Sequence, residues 1–323
     1  MVSFGVAAFF LTFLAVRFDV SWDDTWDKLR ASDLRLYGAA FASYYAGFIL
    51  RGLRWRIMLQ SSLTDEESPR ELPYVLACSQ YIFLGWFANA ITWFRLGDAY
   101  RAYVFTEDTG HSFPRTMGTI LAERVLDVVT IFVLLAVAAL ALSWVGNLHG
   151  TALFLGIASL LVLVGVTGML VMKRFGMRLA RLLPSRFREA YVRFHEGAMG
   201  SFRQMPLLLF ISVLTWLTEV GRLYFVIQSL DLTGTASFSL VVFVTLANAI
   251  LTTVPITPGG LGIVEPGIVG LLTLSLARSE AVSVALLDRS ISYLSIVVLG
   301  GVVFLLRQAV RARRMASAEM TPE

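Results

Sequence analysis

Long apolar runs, separated by short charged segments, make up most of the chain. A helix needs about 20 apolar residues to cross a bilayer, and the first of these runs is shorter than that. The segment 17–33 that follows it carries Trp22 and Trp26 among charged residues, which predicts a helix at the membrane interface. We predict six membrane-spanning helices, over residues 2–16, 34–53, 115–143, 151–172, 207–230 and 281–306.

A further apolar run, 239–276, is interrupted in its middle. A straight helix cannot pass through the interruption, because proline lacks the N–H group and glycine favours turns. Bare backbone at membrane depth is tolerated only where it is buried in protein or lines a wet cavity. We therefore predict two half-helices with Glu265 just after the break, and a proline-kinked spanning helix is the alternative. The interruption holds two prolines and three glycines within eight residues: Pro255, Pro258, Gly259, Gly260 and Gly262.

A second interrupted run has the same order of elements. The tetrapeptide Ala-Asn-Ala-Ile occurs at 88–91 and again at 247–250, and it contains Asn89 in one run and Asn248 in the other. A polar interruption divides this run into the arms 74–91 and 96–105. Paired interrupted segments in the two halves of a chain are typical of transporters whose binding site lies at the repeat interface. The polar residues of the interruption are Arg95, Gly97, Asp98 and Arg101.

The composition indicates an integral membrane protein. Hydrophobic residues make up 57% of the chain and charged residues 15%, against about 25% charged residues in soluble domains. We expect the 323 residues to form one polytopic domain, 1–315, with a disordered tail at 316–323 and no separate soluble catalytic domain. The net charge of +4 comes from arginines beside the spans, so we attribute it to membrane orientation and anionic lipid, and we expect no nucleic-acid partner.

The distribution of lysine and arginine predicts the orientation of the spans. The basic segments 173–203 and 307–314 are assigned to the cytoplasm, and the loops 144–150 and 231–238, which contain neither residue, to the outside. Both termini are then cytoplasmic, in a multi-pass protein of the cell membrane. The segment 17–33 falls outside, although it carries three basic residues, which counts against this orientation.

This orientation makes the two halves of the chain an inverted repeat. Repeat one covers about 34–143 and repeat two about 207–306, and their broken elements enter the membrane from opposite sides. The predicted fold class is an all-α polytopic membrane protein with six full spans and two broken re-entrant helix pairs. Arg51, Arg54 and Arg56, at the end of the second span, are expected to snorkel to the cytoplasmic boundary.

Charged residues inside the spans are candidates for function, because each costs at least about 2.5–3.5 kcal/mol at the centre of a bilayer. Glu123 and Asp127, four apart on one helix, repel each other unless an arginine neutralises them, so we expect the arginine-rich first break to pair with them. Arginines beside half-helix N-termini suit a phosphate group. Structural ion pairs are the alternative explanation. Further candidates are Arg124, Glu219, Arg222, Asp288 and Arg289.

No catalytic set is evident in the sequence. His111, His149 and His195 are scattered in loops, so we predict no metal site and no cofactor. The run Gly259-Gly260-Leu261-Gly262 is not a phosphate-binding loop, because the Lys-Ser/Thr pair of such a loop is missing. We therefore predict that the protein is not an enzyme.

Several motifs occur in a fixed order along the chain: Arg54-Trp55, Asn89, Arg95-x-Gly97-Asp98-x-x-Arg101, Glu123-Arg124-x-x-Asp127, Pro258-Gly259-Gly260-Leu261-Gly262-x-x-Glu265 and Arg289. Through these motifs, nearly the whole chain resembles the transmembrane region of lysylphosphatidylglycerol synthases, also called the flippase-like domain, which forms the membrane half of the bacterial multiple peptide resistance factor. The chain departs from the family in two places: Trp93 stands where the family usually has proline, and Asp98 where it usually has glutamate. The resemblance implies movement of a phospholipid or polyprenyl-linked lipid between leaflets.

The resulting hypothesis is a lipid translocase with no chemistry of its own. Arg95 and Arg101 bind the lipid phosphate, while Glu123, Asp127 and Glu265 balance charge or carry protons. The two repeats rock against each other to move the headgroup. The candidate substrate-binding residues are Arg54, Asn89, Arg95, Asp98, Arg101, Glu123, Arg124, Asp127, Asn248, Pro258, Gly259, Gly260, Glu265 and Arg289.

Two other functions stay open. One is a membrane enzyme that acts on a lipid headgroup with these acids as general acid and base, which the missing nucleophile and metal ligands disfavour. The other is a non-transporting scaffold for a separate synthase. The expected partners are a membrane lipid and a lipid-modifying synthase or glycosyltransferase, and homo-oligomerisation stays open.

Overall fold

The computed structural model describes residues 22–63, 72–144, 151–232, 234–253 and 257–319. The predicted first span 2–16 and Pro255 lie outside these residues. Within them the chain is helical and contains no strand, as expected for an all-α membrane protein. The helices are α1 Trp22–Arg30, α2 Leu34–Ser62, α3 Val75–Ile91, α4 Gly97–Thr109, α5 Phe113–Trp144, α6 Thr151–Leu182, α7 Ser185–Gly200, α8 Met205–Ser229, α9 Phe238–Thr253, α10 Val264–Leu272, α11 Arg278–Arg289 and α12 Ser295–Glu319.

Four stretches of helix are long and apolar enough to cross a membrane; they overlap the predicted spans three to six, and three of them are considerably longer than predicted. The last two are composite. A short 3₁₀ turn, Ser201–Gln204, joins α7 to α8, and a π turn, Ser290–Leu294, joins α11 to α12. The four stretches are Phe113–Leu142, Ala152–Leu182, Ser185–Ser229 and Arg278–Arg313.

Helix α2 covers the predicted second span, but its arginines do not snorkel. Arg51 is 4% exposed and Arg54 is fully buried, each within hydrogen-bonding distance of a carboxylate on another helix. The snorkelling prediction was therefore wrong for these two residues. An arginine within an apolar run can lie at a membrane boundary or in a buried ion pair. The local sequence does not distinguish the two, because the partner carboxylates come from distant parts of the sequence.

Both predicted interruptions are present. Helices α3 and α4 are separated at 92–96, where Phe94 and Arg95 adopt left-handed backbone angles (φ 61° and 53°), so this break forms without the family's proline. Contacts between Asn89 and Gly97, and between Tyr81 and Phe105, show that α4 folds back antiparallel along α3. Helices α9 and α10 are separated by a 3₁₀ turn, Pro258–Gly260, and pack against each other.

The two halves of the chain make corresponding contacts. Helices α2 and α8 pack against each other at the centre of the molecule. The first arm of each broken element packs on a span of the other half, α3 on α12 and α9 on α5, and the second arm packs within its own half, α4 on α5 and α10 on α11. This arrangement is consistent with repeats over 34–143 and 207–306. The polarity of the repeats relative to the bilayer stays a prediction.

The end of the chain is more ordered than the sequence predicts. Helix α12 continues to Glu319, so residues 316–319 of the predicted disordered tail belong to a helix, and residues 320–323 lie outside the described part. At the other end, α1 lies in the segment predicted to be an interfacial helix, and it packs against α11 through Lys28 and Glu280, 3.3 Å apart.

Candidate functional site

A cavity lies between the two broken elements, where the repeat hypothesis places the site. Its volume is about 150 Å³, counted as the space that the centre of a water-sized sphere can reach. A water needs about 10–15 Å³ on this measure, so the cavity takes roughly ten polar atoms. We call it the central cavity; its lining includes Tyr44, Trp86, Asn89, Arg95, Trp216, Glu219, Arg222, Asn248, Thr252, Thr257, Gly259, Gly260, Arg289, Ser292 and Tyr293.

Arg95 projects into the central cavity from the tip of the first broken element. Its Nη1 donates to the carbonyl oxygen of Thr252 on α9, 3.1 Å away, and it forms no ion pair within the described part of the chain. Its left-handed backbone (φ 53°) costs about 1–3 kcal/mol for a residue other than glycine. A strained, half-buried arginine without a carboxylate partner is the arrangement expected of an anion-binding group.

The other arginines beside the central cavity are neutralised. Glu219 accepts from Arg51 at 2.8 Å and from Arg222 at 3.3 Å, and Arg222 also pairs with the buried carboxylate of Asp288. Arg289 pairs with Glu265 on α10. The cations are Arg51, Arg95, Arg222 and Arg289 and the acids are Glu219, Glu265 and Asp288, so four positive and three negative charges leave one positive charge.

A second group of charges does not line the cavity and lies between α2, α4 and α5; we call it the ion cluster. Glu123 is 1% exposed and lies 2.9 Å from Arg101, 3.4 Å from Arg54 and 3.6 Å from Arg124. The guanidinium of Arg101 also lies over the Trp55 ring, 4.6 Å from its centre. The expectation that the arginine-rich break pairs with acids on the third span is confirmed for Glu123, whereas Asp127 pairs with Arg54 and Arg124. The cluster consists of Arg54, Asp98, Arg101, Glu123, Arg124 and Asp127.

The proline-glycine turn is held by one ion pair. Glu265 is fully buried; its Oε1 lies 2.8 Å from Arg289 Nε, and its Oε2 accepts from the backbone N–H of Gly262 at 2.8 Å. Arg289 Nη2 in turn donates to the carbonyl of Gly259, 2.9 Å away. Glycine is required at 259, because φ is 57° and a Cβ would lie 2.6 Å from the ring of Tyr293. Glu265 and Arg289 therefore shape the wall of the central cavity.

Comparison with known proteins agrees with this architecture. The family model described as "Lysylphosphatidylglycerol synthase TM region" matches residues 1–300. The chain belongs to this family. None of the solved structures is significantly similar to it.

The family's curated members that resemble this chain are archaeal. A UPF0104 membrane protein of Methanocaldococcus jannaschii is 32% identical over 224 residues, which is 68% of this chain and 93% of that protein. Another, from Pyrococcus horikoshii, is 24% identical over 305 residues, 85% of this chain and 88% of that protein. The protein named Glycosyltransferase AglD, of Haloferax volcanii, is 23% identical over 92% of this chain, which spans 53% of that protein.

In this family member the structure divides the predicted site residues into three groups. Asn89, Arg95, Asn248, Gly259, Gly260 and Arg289 line the central cavity. Arg54, Asp98, Arg101, Glu123, Arg124 and Asp127 form the ion cluster and do not line it. Pro258 and Glu265 belong to the turn beside it and its support.

Sequence reasoning did not identify the aromatic part of the site. Tyr44 OH donates to the carbonyl of Ser292 in the π turn at 3.2 Å, and Tyr293 OH donates to the carbonyl of Ala90 at 3.2 Å. These bonds join the π turn to α2 and to the first broken element. A tyrosine within an apolar run is a usable signal, because a buried hydroxyl needs a hydrogen-bond partner. Among the described residues no group of three metal-ligating side chains occurs.

Proposed function

We propose that the protein moves an anionic lipid between the leaflets of a membrane, with the lipid headgroup passing through the central cavity. The observation that carries the proposal is Arg95, the one cation at the cavity without a carboxylate partner in the described part of the chain. Family membership and the long apolar helices support a multi-pass membrane protein. The location of the cavity between two broken helix pairs supports transport.

A phosphate group meets the requirement of Arg95. Guanidinium groups bind phosphate oxygens through paired, charge-assisted hydrogen bonds, which are about twice as strong as neutral ones. One phosphodiester carries a single negative charge and cancels the single excess positive charge at the cavity. The cavity takes roughly ten polar atoms, so it accommodates a headgroup while the acyl chains stay in the lipid.

The ion cluster has a different role in this proposal. Arg101 is 1% exposed and is engaged by Glu123, so it positions the first broken element and does not bind the phosphate. The cluster has three arginines and three acids and carries no net charge. Its counterpart in the second half is the pair Glu265–Arg289, which again joins the second arm of a broken element to the following span, with the two charges exchanged.

The experiment is transfer of a fluorescent phosphatidylglycerol in proteoliposomes, measured by dithionite quenching of the outer leaflet. Hydrogen bonds to charged groups contribute about 1.5–3 kcal/mol, so Arg95→Gln slows transfer by about 10- to 150-fold. Arg95→Lys retains part of the rate because it keeps the charge but loses the bidentate geometry. Arg178→Gln, an exposed arginine outside the cavity, is the matched control and transfers at the normal rate.

Equal rates for Arg95→Gln and Arg178→Gln would reject the assignment of Arg95. Absence of transfer by the unaltered protein would reject the proposed function, provided that the protein is inserted and folded.

A second candidate is presentation of a lipid-linked sugar to a transferase, without independent transport. The similarity to the protein named Glycosyltransferase AglD over 92% of this chain supports it. Incubating the purified protein with a labelled polyprenyl phosphate sugar distinguishes the possibilities. Our proposal expects movement of the lipid and no chemical conversion; conversion would indicate an enzyme, and a transferase bound without transfer would indicate a scaffold.

A further inference from the structure

The lining of the central cavity contains three uncharged polar groups whose hydrogen bonds are not used within the described residues. They are the indole N–H of Trp216 on α8, the amide oxygen of Asn248 on α9, and the hydroxyl of Thr257 just before the proline-glycine turn. Buried polar atoms normally have partners, since leaving one unpaired is unfavourable. Three such groups from three elements around one cavity form a set that a ligand can satisfy.

From these groups we infer that the lipid carries an uncharged, hydroxyl-bearing headgroup, such as a glycerol or sugar unit, beyond its phosphate. The inference rests on the proposed lipid transfer and names its substrate class. An indole N–H only donates, an amide oxygen only accepts, and a threonine hydroxyl does both. Hydroxyl groups also do both, so a polyol satisfies all three positions, whereas an ammonium group has no acceptor site for the indole N–H.

The charges at the central cavity also disfavour an amine headgroup. Glu219 is engaged by two arginines, and Glu265 by Arg289, so among the described residues no carboxylate at the cavity is left for an ammonium group. Arg95 leaves one positive charge, and a zwitterionic lipid does not neutralise it. A phosphodiester with a neutral polyol does so with its single negative charge.

The size of the cavity fits this headgroup. A phosphoglycerol unit has about ten non-hydrogen atoms, and the cavity volume of about 150 Å³ corresponds to roughly ten water positions. Trp86 and Tyr293 also line the cavity, and aromatic faces pack well against the C–H surfaces of a polyol. Phosphate and polyol therefore occupy one continuous site.

The test compares three lipids in otherwise identical proteoliposomes: phosphatidylglycerol, phosphatidylethanol and phosphatidylethanolamine. Phosphatidylethanol has the charge of phosphatidylglycerol but no hydroxyl groups, so it isolates the hydroxyl contribution. We expect phosphatidylglycerol to move at least about tenfold faster than phosphatidylethanol, because a site built for hydroxyl groups rejects an analogue without them. Phosphatidylethanolamine is expected to be the slowest of the three.

Variants then assign the hydroxyl contribution to residues. Trp216→Phe, Asn248→Leu and Thr257→Val each remove the hydrogen-bonding group of one residue; the last two keep the size of the side chain, whereas Trp216→Phe also makes the ring smaller. Each variant is expected to slow the transfer of phosphatidylglycerol by about 3- to 10-fold and the transfer of phosphatidylethanol by less than about twofold. Thr130→Val is the matched control for Thr257→Val, because Thr130 is also buried but donates to Leu126 O and lies outside the cavity.

A binding measurement tests the headgroup inference separately from the proposed lipid transfer. Short-chain phosphatidylglycerol and phosphatidylethanol are titrated into the detergent-solubilised full chain by calorimetry. Tighter binding of phosphatidylglycerol without transfer in proteoliposomes would support the headgroup site and reject transport. Equal transfer and equal binding of the two lipids would overturn the headgroup inference while the proposed function stands, and faster transfer of phosphatidylethanolamine would overturn it as well.

Discussion

The ion cluster provides the sharpest test of how the charges inside the spans are held. Glu123 is 1% exposed and lies within 3.6 Å of Arg54, Arg101 and Arg124. Replacing it by glutamine preserves its shape but leaves the cluster with three arginines and two acids. Removing one partner of a buried ion pair costs about 3–5 kcal/mol, because the remaining charge is left uncompensated. We expect Glu123→Gln to lower the free energy of unfolding by that amount.

The measurement is equilibrium unfolding in mixed micelles, with tryptophan fluorescence and circular dichroism as independent probes. The double variant Arg101→Gln/Glu123→Gln removes one charge of each sign, so we expect it to be more stable than Glu123→Gln alone. Glu189→Gln is the control, because Glu189 is 74% exposed and pairs with Arg193 on the surface of α7. Exposed pairs contribute about 0–1 kcal/mol, and the control should change stability by no more than that.

Two outcomes would refute the reasoning on the ion cluster. One is a loss for Glu123→Gln as small as that for Glu189→Gln, which would mean that the cluster is solvated or that its arginines rearrange. The other is a double variant whose loss of stability, relative to the unaltered protein, equals the sum of the losses of Arg101→Gln and Glu123→Gln. Additivity would show that Arg101 and Glu123 do not interact, despite their distance of 2.9 Å.

Two further predictions concern contacts within and between the halves. A Cβ at Gly97 would lie 1.9 Å from the carbonyl oxygen of Gly85, so Gly97→Ala should force α3 and α4 apart and lower both the thermal midpoint and the transfer rate. Arg307 on α12 donates to both carboxylate oxygens of Asp108 on α4, at 2.7 and 2.6 Å. Asp108→Asn should cost about 1 kcal/mol in micelle unfolding, and exchanging the two residues should restore most of it; failure of the exchange would show that the pair is not specific.

The sequence alone predicted the elements that depend on local properties of the chain. Spans three to six follow from the length of the apolar runs, and the structure has helices long and apolar enough to cross a membrane at these places. Both helix breaks follow from residues that cannot continue a helix or that interrupt the apolar pattern. The break at 92–96 shows that a proline is not required, because the helix ends at Ile91 with Thr92 extended, and Phe94 and Arg95 then adopt left-handed conformations.

Only the tertiary structure shows which charged residues line the central cavity and which belong to the ion cluster. Arg95 and Arg101 lie six positions apart on one broken element, and the sequence assigned both to a phosphate. The structure places Arg95 in the central cavity and Arg101 beside Glu123 in the ion cluster. Asn89 and Asn248 occupy equivalent positions in the two repeated tetrapeptides, but their side chains differ in hydrogen bonding. The amide oxygen of Asn89 accepts from Gly97 N–H, while that of Asn248 has no partner among the described residues.

From the sequence alone came the membrane class, the approximate positions of the apolar helices and of the two breaks, and the set of charged residues that require partners. These depend on hydrophobicity and backbone chemistry, which are properties of neighbouring residues. The partners themselves were decided only by tertiary structure: Arg54 meets Asp127 across 73 positions, and Arg51 meets Glu219 across 168. An arginine in an apolar run has the same local sequence whether it is neutralised or left to bind a ligand, and only the packing of distant helices distinguishes the two.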